Sequence, residues 1–220
     1  MSDEHLSRFR ILDVGVLDYL SALKLQELSH HEVVRGLVAP TIIVVQHPPV
    51  LTLGKHADSG FLKLPVPEFK KLGVEVVQTD RGGEVTAHMP GQLVVYPIIK
   101  LVDFKLTPRT WVALLETAVI DTLALCGVSA TTDPINPGVW VGSQKICAIG
   151  IRIKDRTSLH GLALNVSNDL DLFDKIIPCG IKNRGVTTLS GCVPKAPTLS
   201  EVASMLLDRL TKLLMSRVAR

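Results

Sequence analysis

A cysteine becomes a useful nucleophile where its sulfur can be reached and where a nearby cation favours the thiolate. The chain has four cysteines, at positions 126, 147, 179 and 192. Cys126 ends a helix-like run (LALCG) and Cys147 lies inside an apolar strand-like run. Both read as small buried apolar residues. Cys192 sits in SGCVP, a turn-like stretch with nothing local to activate it. Cys179 differs. In IIPCGIKNRG, Pro178 stiffens the approach and Gly180 removes a side chain beside the sulfur. Two readings stay open for it: an accessible nucleophile, or a buried structural thiol of the common kind. Lys145 is the candidate cation, because it opens the otherwise apolar run KICAIGIRI. Strand alternation would place it on one face with Cys147 and Ile149. It is either the solvated end of a strand or an amine facing a cleft, where it would favour a thiolate and exchange a proton.

A second group of residues is suited to holding a ligand. In TDRGGEVTAHMPGQLVVYP, Gly82 and Gly83 let the backbone approach a ligand closely. Arg81 suits an anion or a loop-capping salt bridge, and His88 suits catalysis or a local hydrogen bond. The pattern is not G-x-G-x-x-G or a phosphate-binding Walker loop, so a nucleotide reading is weak. The run HGLALNV offers His160, Gly161 and Asn165. Gly161 and Ala163, with Ala148 and Gly150 on the neighbouring strand, would line a narrow apolar groove or simply allow close packing. There is no GxSxG, HExxH or EF-hand loop, so no metal or other cofactor is expected.

These residues need elements to position them. Residues 18–35 read as a helix with Leu20, Leu23, Leu28 and Val34 on its apolar stripe and Gly36 as its stop. Residues 41–47 read as a strand ended by Pro48-Pro49, and 50–54 as its antiparallel or bent continuation. A short helix at 67–73 feeds a strand at 74–79, and another strand follows the glycine loop at 92–101. Thr107 caps the clearest helix, with Pro108 in its first turn, a stripe of Trp111, Leu114, Leu115, Val119 and Leu123, and a stop at Gly127. Strands follow at 138–142, 145–153 and 160–166. Residues 198–218 form a second amphipathic helix with Thr198 and Glu201 as a capping box. Strict βαβ alternation is absent. The expected fold is therefore α/β or α+β, a mixed, largely antiparallel sheet flanked by helices.

The chain has 220 residues and is 46% hydrophobic, which suffices for one domain with a substantial core. A net charge of +3 without basic runs argues against nucleic acid as a partner. The beginning, MSDEHLSRFR, is not a signal peptide, and no stretch is apolar enough to span a membrane. Scattered cysteines without a CxxC pair suit reduced thiols in the cytoplasm.

Taken in order, RGGEVTAHMPGQLVVYP, KICAIGIRI, HGLALNV and IIPCGI…GVTTLS resemble the lipoyl(octanoyl) transferases. The resemblance covers residues 41–190, and every matched position agrees. It implies the fold of the biotin and lipoate protein ligase catalytic domain over residues 1–220. It also implies transfer of an octanoyl group from octanoyl-acyl carrier protein to a lysine of a lipoyl domain. The implied acceptors are 2-oxo acid dehydrogenase E2 subunits and the glycine cleavage H protein. By the resemblance Cys179 carries the acyl group and Lys145 pairs with it. Substrate contacts fall on Arg81, Gly82, Gly83, Glu84, Val85, Thr86, Ala87 and His88, on Ala148, Ile149 and Gly150, and on Gly161, Leu162 and Ala163. The alternatives are an ATP-dependent lipoate-protein ligase on the same scaffold and a non-catalytic module that binds lipoyl domains or acyl carriers.

Overall fold

The structure, a computed structural model, describes residues 3–55, 57–177 and 184–218. Strand β1 (Arg10–Val16) leads into helix α1 (Tyr19–Val34), whose N-cap Asp18 accepts from the Ser21 N–H. β2 (Thr41–Gln46) and β3 (Val50–Leu53) follow, then α2 (Val66–Lys71), β4 (Glu75–Gln78), β5 (Val85–His88) and β6 (Gln92–Ile98). After α3 (Pro108–Leu125) come β7 (Thr131–Thr132), β8 (Val139–Val141), β9 (Gln144–Lys154) and β10 (Thr157–Asn165). The last elements are α4 (Asp171–Asp174), α5 (Leu189–Cys192) and α6 (Leu199–Val218).

Seven strands form one sheet in the order β1-β2-β6-β10-β9-β8-β7, and β4-β3-β5 form a second. Among the described residues, only the β1–β2 and β3–β4 strand pairs are parallel, so the mixed, largely antiparallel sheet expected from the sequence is present. α3 and α6 cover one face of the large sheet, and the buried stripe of α3 is the expected one. Thr107 and Thr110 cap α3 reciprocally, and Thr198 and Glu201 do the same for α6. α1 packs on the opposite face.

Three expectations need correction. Residues 50–54 do not continue β2. Pro48-Pro49 separates the two sheets, and β3 pairs with β4 and β5. Part of the glycine stretch is a strand, β5, rather than a loop. The apolar stripe of α1 is also misplaced: Leu20 and Leu28 are 45% and 65% exposed, while Gln26, Ser29 and His30 are buried. The cause lies in β10. Its pairing with β6 begins only at Leu162, and His160 has φ +58°. The His160 N–H therefore needs a buried acceptor, which Gln26 supplies at 2.9 Å. The His30 ring likewise donates to the Lys154 carbonyl at 3.0 Å.

Candidate active site

The α1-facing side of the large sheet carries a slot. Its floor is the β9–β10 ladder, where Gly150 lies opposite Gly161 and Ala148 opposite Ala163. Its walls are Val94 and Tyr96 from β6, Thr86 and His88 from β5, Tyr19 from α1, and Arg81, Gly83 and Glu84 from the preceding loop. The slot has a cavity volume of about 50 Å³. A second, much smaller space of about 10 Å³ shares Thr86, Ala148 and Ala163 with it and reaches Gln92, Lys145, Asn165 and Val186. With that common border the two are together termed the channel: the slot end is mostly apolar, and the other end carries Lys145, Gln92 and Asn165.

The glycines of the floor have different causes. A Cβ on Gly161 would lie 2.2 Å from the Val95 carbonyl oxygen, so close approach of β6 excludes any side chain there. A Cβ on Gly150 would meet the Gly82 oxygen at 2.9 Å and Arg81 Cδ at 3.2 Å. Gly150 therefore makes room for the 81–84 loop, which docks on β9 through Gly82 N–H to Ile151 O at 2.9 Å.

Lys145 is 7% exposed, and its ammonium donates to the Pro137 carbonyl at 3.1 Å. It lies 4.9 Å from the centre of the Trp140 ring, within cation–π reach. Its backbone is held on both sides, since its N–H donates to Gly185 O and its carbonyl accepts from Thr187 N–H. The expected alternation with Cys147 fails here. Trp140 pairs with Lys145 but Val139 pairs with Cys147, so Ile146 is the extra residue of a β-bulge. Lys145 therefore shares the channel with Ala148, while Ile146 and Cys147 pack in the core with α3. Burial pushes the Cys147 thiol up to about 12, consistent with a packing residue. Cys179 lies outside the described residues.

Arg81 and His88 are both buried. The Arg81 guanidinium donates to Thr52 Oγ1 at 2.9 and 3.2 Å, to Gly82 O at 3.0 Å and to Glu84 O at 2.8 Å, pinning the loop over the slot. His88 stacks on Tyr19, and burial with nearby His47 holds its pKa down to about 3. It is a neutral wall residue at ordinary pH. His160 also lines the slot, with Nε2 at 2.8 Å from Asp80 Oδ1. Burial, then the charges of Arg81 and Arg152, lowers its pKa to about 4. Arg152 pairs with the same Asp80 and offsets that carboxylate's charge.

The structure thus gathers Arg81, Gly83, Glu84, Val85, Thr86, His88, Ala148, Ile149, Gly150, Gly161, Leu162 and Ala163 around one space. Gly82 sits beside it as the loop's anchor to β9. Ala87 alternates away into the core of the small sheet. Tyr19, Val94 and Tyr96 were not identified from the sequence. Parity along LVVYP gave a signal for Val94 and Tyr96, whereas the approach of Tyr19 from α1 gave none. Among the described residues, no group of three or more His, Cys, Asp or Glu side chains could hold a metal ion. No helix among them is long and apolar enough to cross a membrane.

Residues 18–211 match the lipoyl protein ligase A/B catalytic domain family. The octanoyltransferase of Chloroflexus aggregans is 42% identical over 205 residues, covering 91% of this chain and 92% of that protein. A mitochondrial octanoyl-[acyl-carrier-protein]:protein N-octanoyltransferase of Danio rerio is 38% identical, covering 92% and 91%. The fold is that of a Thermoplasma acidophilum protein, a lipoate protein ligase by its description, solved with bound lipoic acid. That match has a TM-score of 0.74 at 16% identity and covers 94% of this chain and 86% of the other. The biotin protein ligase of Aquifex aeolicus is more distant, with a TM-score of 0.56 at 16% identity over 96% and 71%. The chain belongs to the lipoyl protein ligase A/B catalytic domain family, and within it to the octanoyltransferases, which are acyltransferases.

Proposed function

We propose that this octanoyltransferase takes its acyl group from the thioester of octanoyl-acyl carrier protein and passes it, through an acyl-cysteine on Cys179, to a lysine of a lipoyl domain. The observation that carries this reading is a buried amine, Lys145, at one end of a channel floored by Gly150, Gly161, Ala148 and Ala163. The channel suits a straight apolar chain, each buried methylene contributing at most about 0.8 kcal/mol. In sequence, Cys179 lies two positions after Ile177 and six before Gly185, which accepts the Lys145 N–H.

The chemistry follows from these groups. The Cys179 thiolate attacks the donor carbonyl, the new C–S bond forms, and the carrier's pantetheine thiolate leaves with a proton from the Lys145 ammonium. One thioester replaces another at little cost, so activation is kept. The acceptor amine then attacks the acyl-cysteine. The amide bond forms, the C–S bond breaks, and Lys145, now neutral, takes the proton from the attacking nitrogen. A lysine suits this double role because its amine gives up a proton on desolvation, which a guanidinium does not.

The reading treats residues 1–220 as one catalytic domain working in the cytoplasm without metal or other cofactor. Its acceptors are E2 subunits of 2-oxo acid dehydrogenases and the glycine cleavage H protein. ATP dependence separates it from a ligase on the same scaffold. Incubation with octanoyl-acyl carrier protein and a lipoyl domain, without ATP, should give octanoyl-lysine. A strict requirement for ATP would overturn the proposal.

A further inference from the structure

A line of buried polar side chains runs along the channel, and the transfer chemistry above uses none of its middle members. It begins at Thr52 on β3, whose hydroxyl oxygen accepts two N–H groups from Arg81. With its acceptor side occupied, the hydroxyl donates to His88 Nε2 at 3.3 Å. His88 Nδ1–H donates to Gln92 Oε1 at 2.8 Å. The Gln92 amide donates to Ala87 O at 3.1 Å and to Asn165 Oδ1 at 2.9 Å. Asn165 Nδ2–H donates to Thr187 O at 3.0 Å, and Thr187 N–H donates to Lys145 O at 3.0 Å.

Every bond in this line has one allowed direction. The Ala87 and Thr187 carbonyls fix the Gln92 and Asn165 amides as donors, Gln92 Oε1 then takes the His88 Nδ1–H, and Nε2 of the neutral ring is left to accept from Thr52. Thr52, Gln92 and Asn165 are at most 4% exposed, so each would be costly to bury without its partner. A protonated His88 would aim a second donor at Thr52 Oγ1, which already receives two. The depression of its pKa to about 3 by burial agrees with that geometry.

We propose that Gln92 and Asn165 are positioning residues for octanoyl transfer. They close a hydrogen-bonded chain that ties the loop over the acyl slot to the strand end bearing Lys145. Neither needs to touch the acyl group. Asn165 acts through Thr187, which holds the Lys145 backbone in the short parallel bridge of Lys145 with Val186. The inference rests on Lys145 being the amine that serves the transfer.

A double-mutant cycle between the ends of the line tests it, using Thr52→Val and Asn165→Ala in the full chain with octanoyl-acyl carrier protein as donor. If the line acts as a unit, each single variant lowers kcat about tenfold and the double variant lowers it little further, as neighbours in one network do. Asn165→Ala should leave the donor KM within about twofold, because Asn165 lies at the Lys145 end and not on the slot, whereas Thr52→Val also loosens Arg81 on the slot wall and should raise it. Asn165→Ser, which keeps a short donor toward Thr187, should recover part of kcat and covers the case in which Asn165→Ala does not fold. Multiplicative losses in kcat, or a loss in Asn165→Ala carried by the donor KM, would overturn the proposal. The wild-type assay separates this failure from the broader one. Absent ATP-free transfer by wild type sinks the proposed function, whereas active wild type with independent variants sinks only the positioning role.

Discussion

Ala148 is a position at which the slot can be shortened from its floor. It is half-buried, lies opposite Ala163 and borders both cavities of the channel. Ala148→Leu adds three carbons, which enter space that the octanoyl tail would otherwise occupy. Displacing about three methylenes at about 0.8 kcal/mol each removes about 2.4 kcal/mol of binding. At about 1.4 kcal/mol per tenfold, that is a loss of about 50-fold in kcat/KM for the octanoyl donor. An acetyl donor has no tail to displace and should lose little. The assay is therefore kcat/KM for octanoyl- and acetyl-acyl carrier protein in wild type and variant, with thermal melts to confirm folding. The account expects the octanoyl-to-acetyl ratio to fall by one to two orders of magnitude. An unchanged ratio in a folded variant would show that the tail lies elsewhere.

Lys145→Met should keep the fold and slow iodoacetamide labelling of Cys179 at neutral pH about tenfold per unit rise in the thiol pKa; unchanged labelling would remove Lys145 from the activating role. Lys145→Arg should not restore transfer, because a guanidinium releases no proton at working pH. Gly161→Ala should cost about 1–3 kcal/mol, since its Cβ would lie 2.2 Å from Val95 O and backbone must shift. A melting temperature unchanged from wild type would contradict that packing argument. Stability should fall with acid. His88 and His160 have folded pKa values of about 3 and about 4, below the ordinary 6.5. The unfolded chain therefore binds more protons as pH drops. The stability they contribute is present above pH 6.5 and is lost toward pH 3–4, at up to about 1.4 kcal/mol per pH unit for each. Urea midpoints between pH 7 and pH 5 should show this, with a shallower slope in His88→Gln; equal slopes would contradict it.

Much of the fold was legible because its signals are local. Thr107-Pro108 and Gly127 bracket α3, Thr198 and Glu201 open α6, and alternation finds β8 to β10. What was not legible depends on partners distant in sequence. The buried face of α1 is polar because His160, far along the chain, leaves an N–H that Gln26 accepts. The lysine's face was misassigned because a bulge at Ile146 leaves no mark in KICAIGIRI. The groups lining the slot were readable as short runs of small residues and glycines. Tyr19 and the Thr52–His88–Gln92–Asn165 line were not, since each joins separate strands or a helix through side chains alone.

The central claim is a covalent octanoyl group held on one sulfur. Intact mass of the protein after incubation with octanoyl-acyl carrier protein, without an acceptor, tests it most directly. The account predicts a gain of one octanoyl group on the peptide containing Cys179, absent in Cys179→Ala and discharged when a lipoyl domain is added. An adduct that persists in Cys179→Ala, or full transfer by that variant, would contradict it.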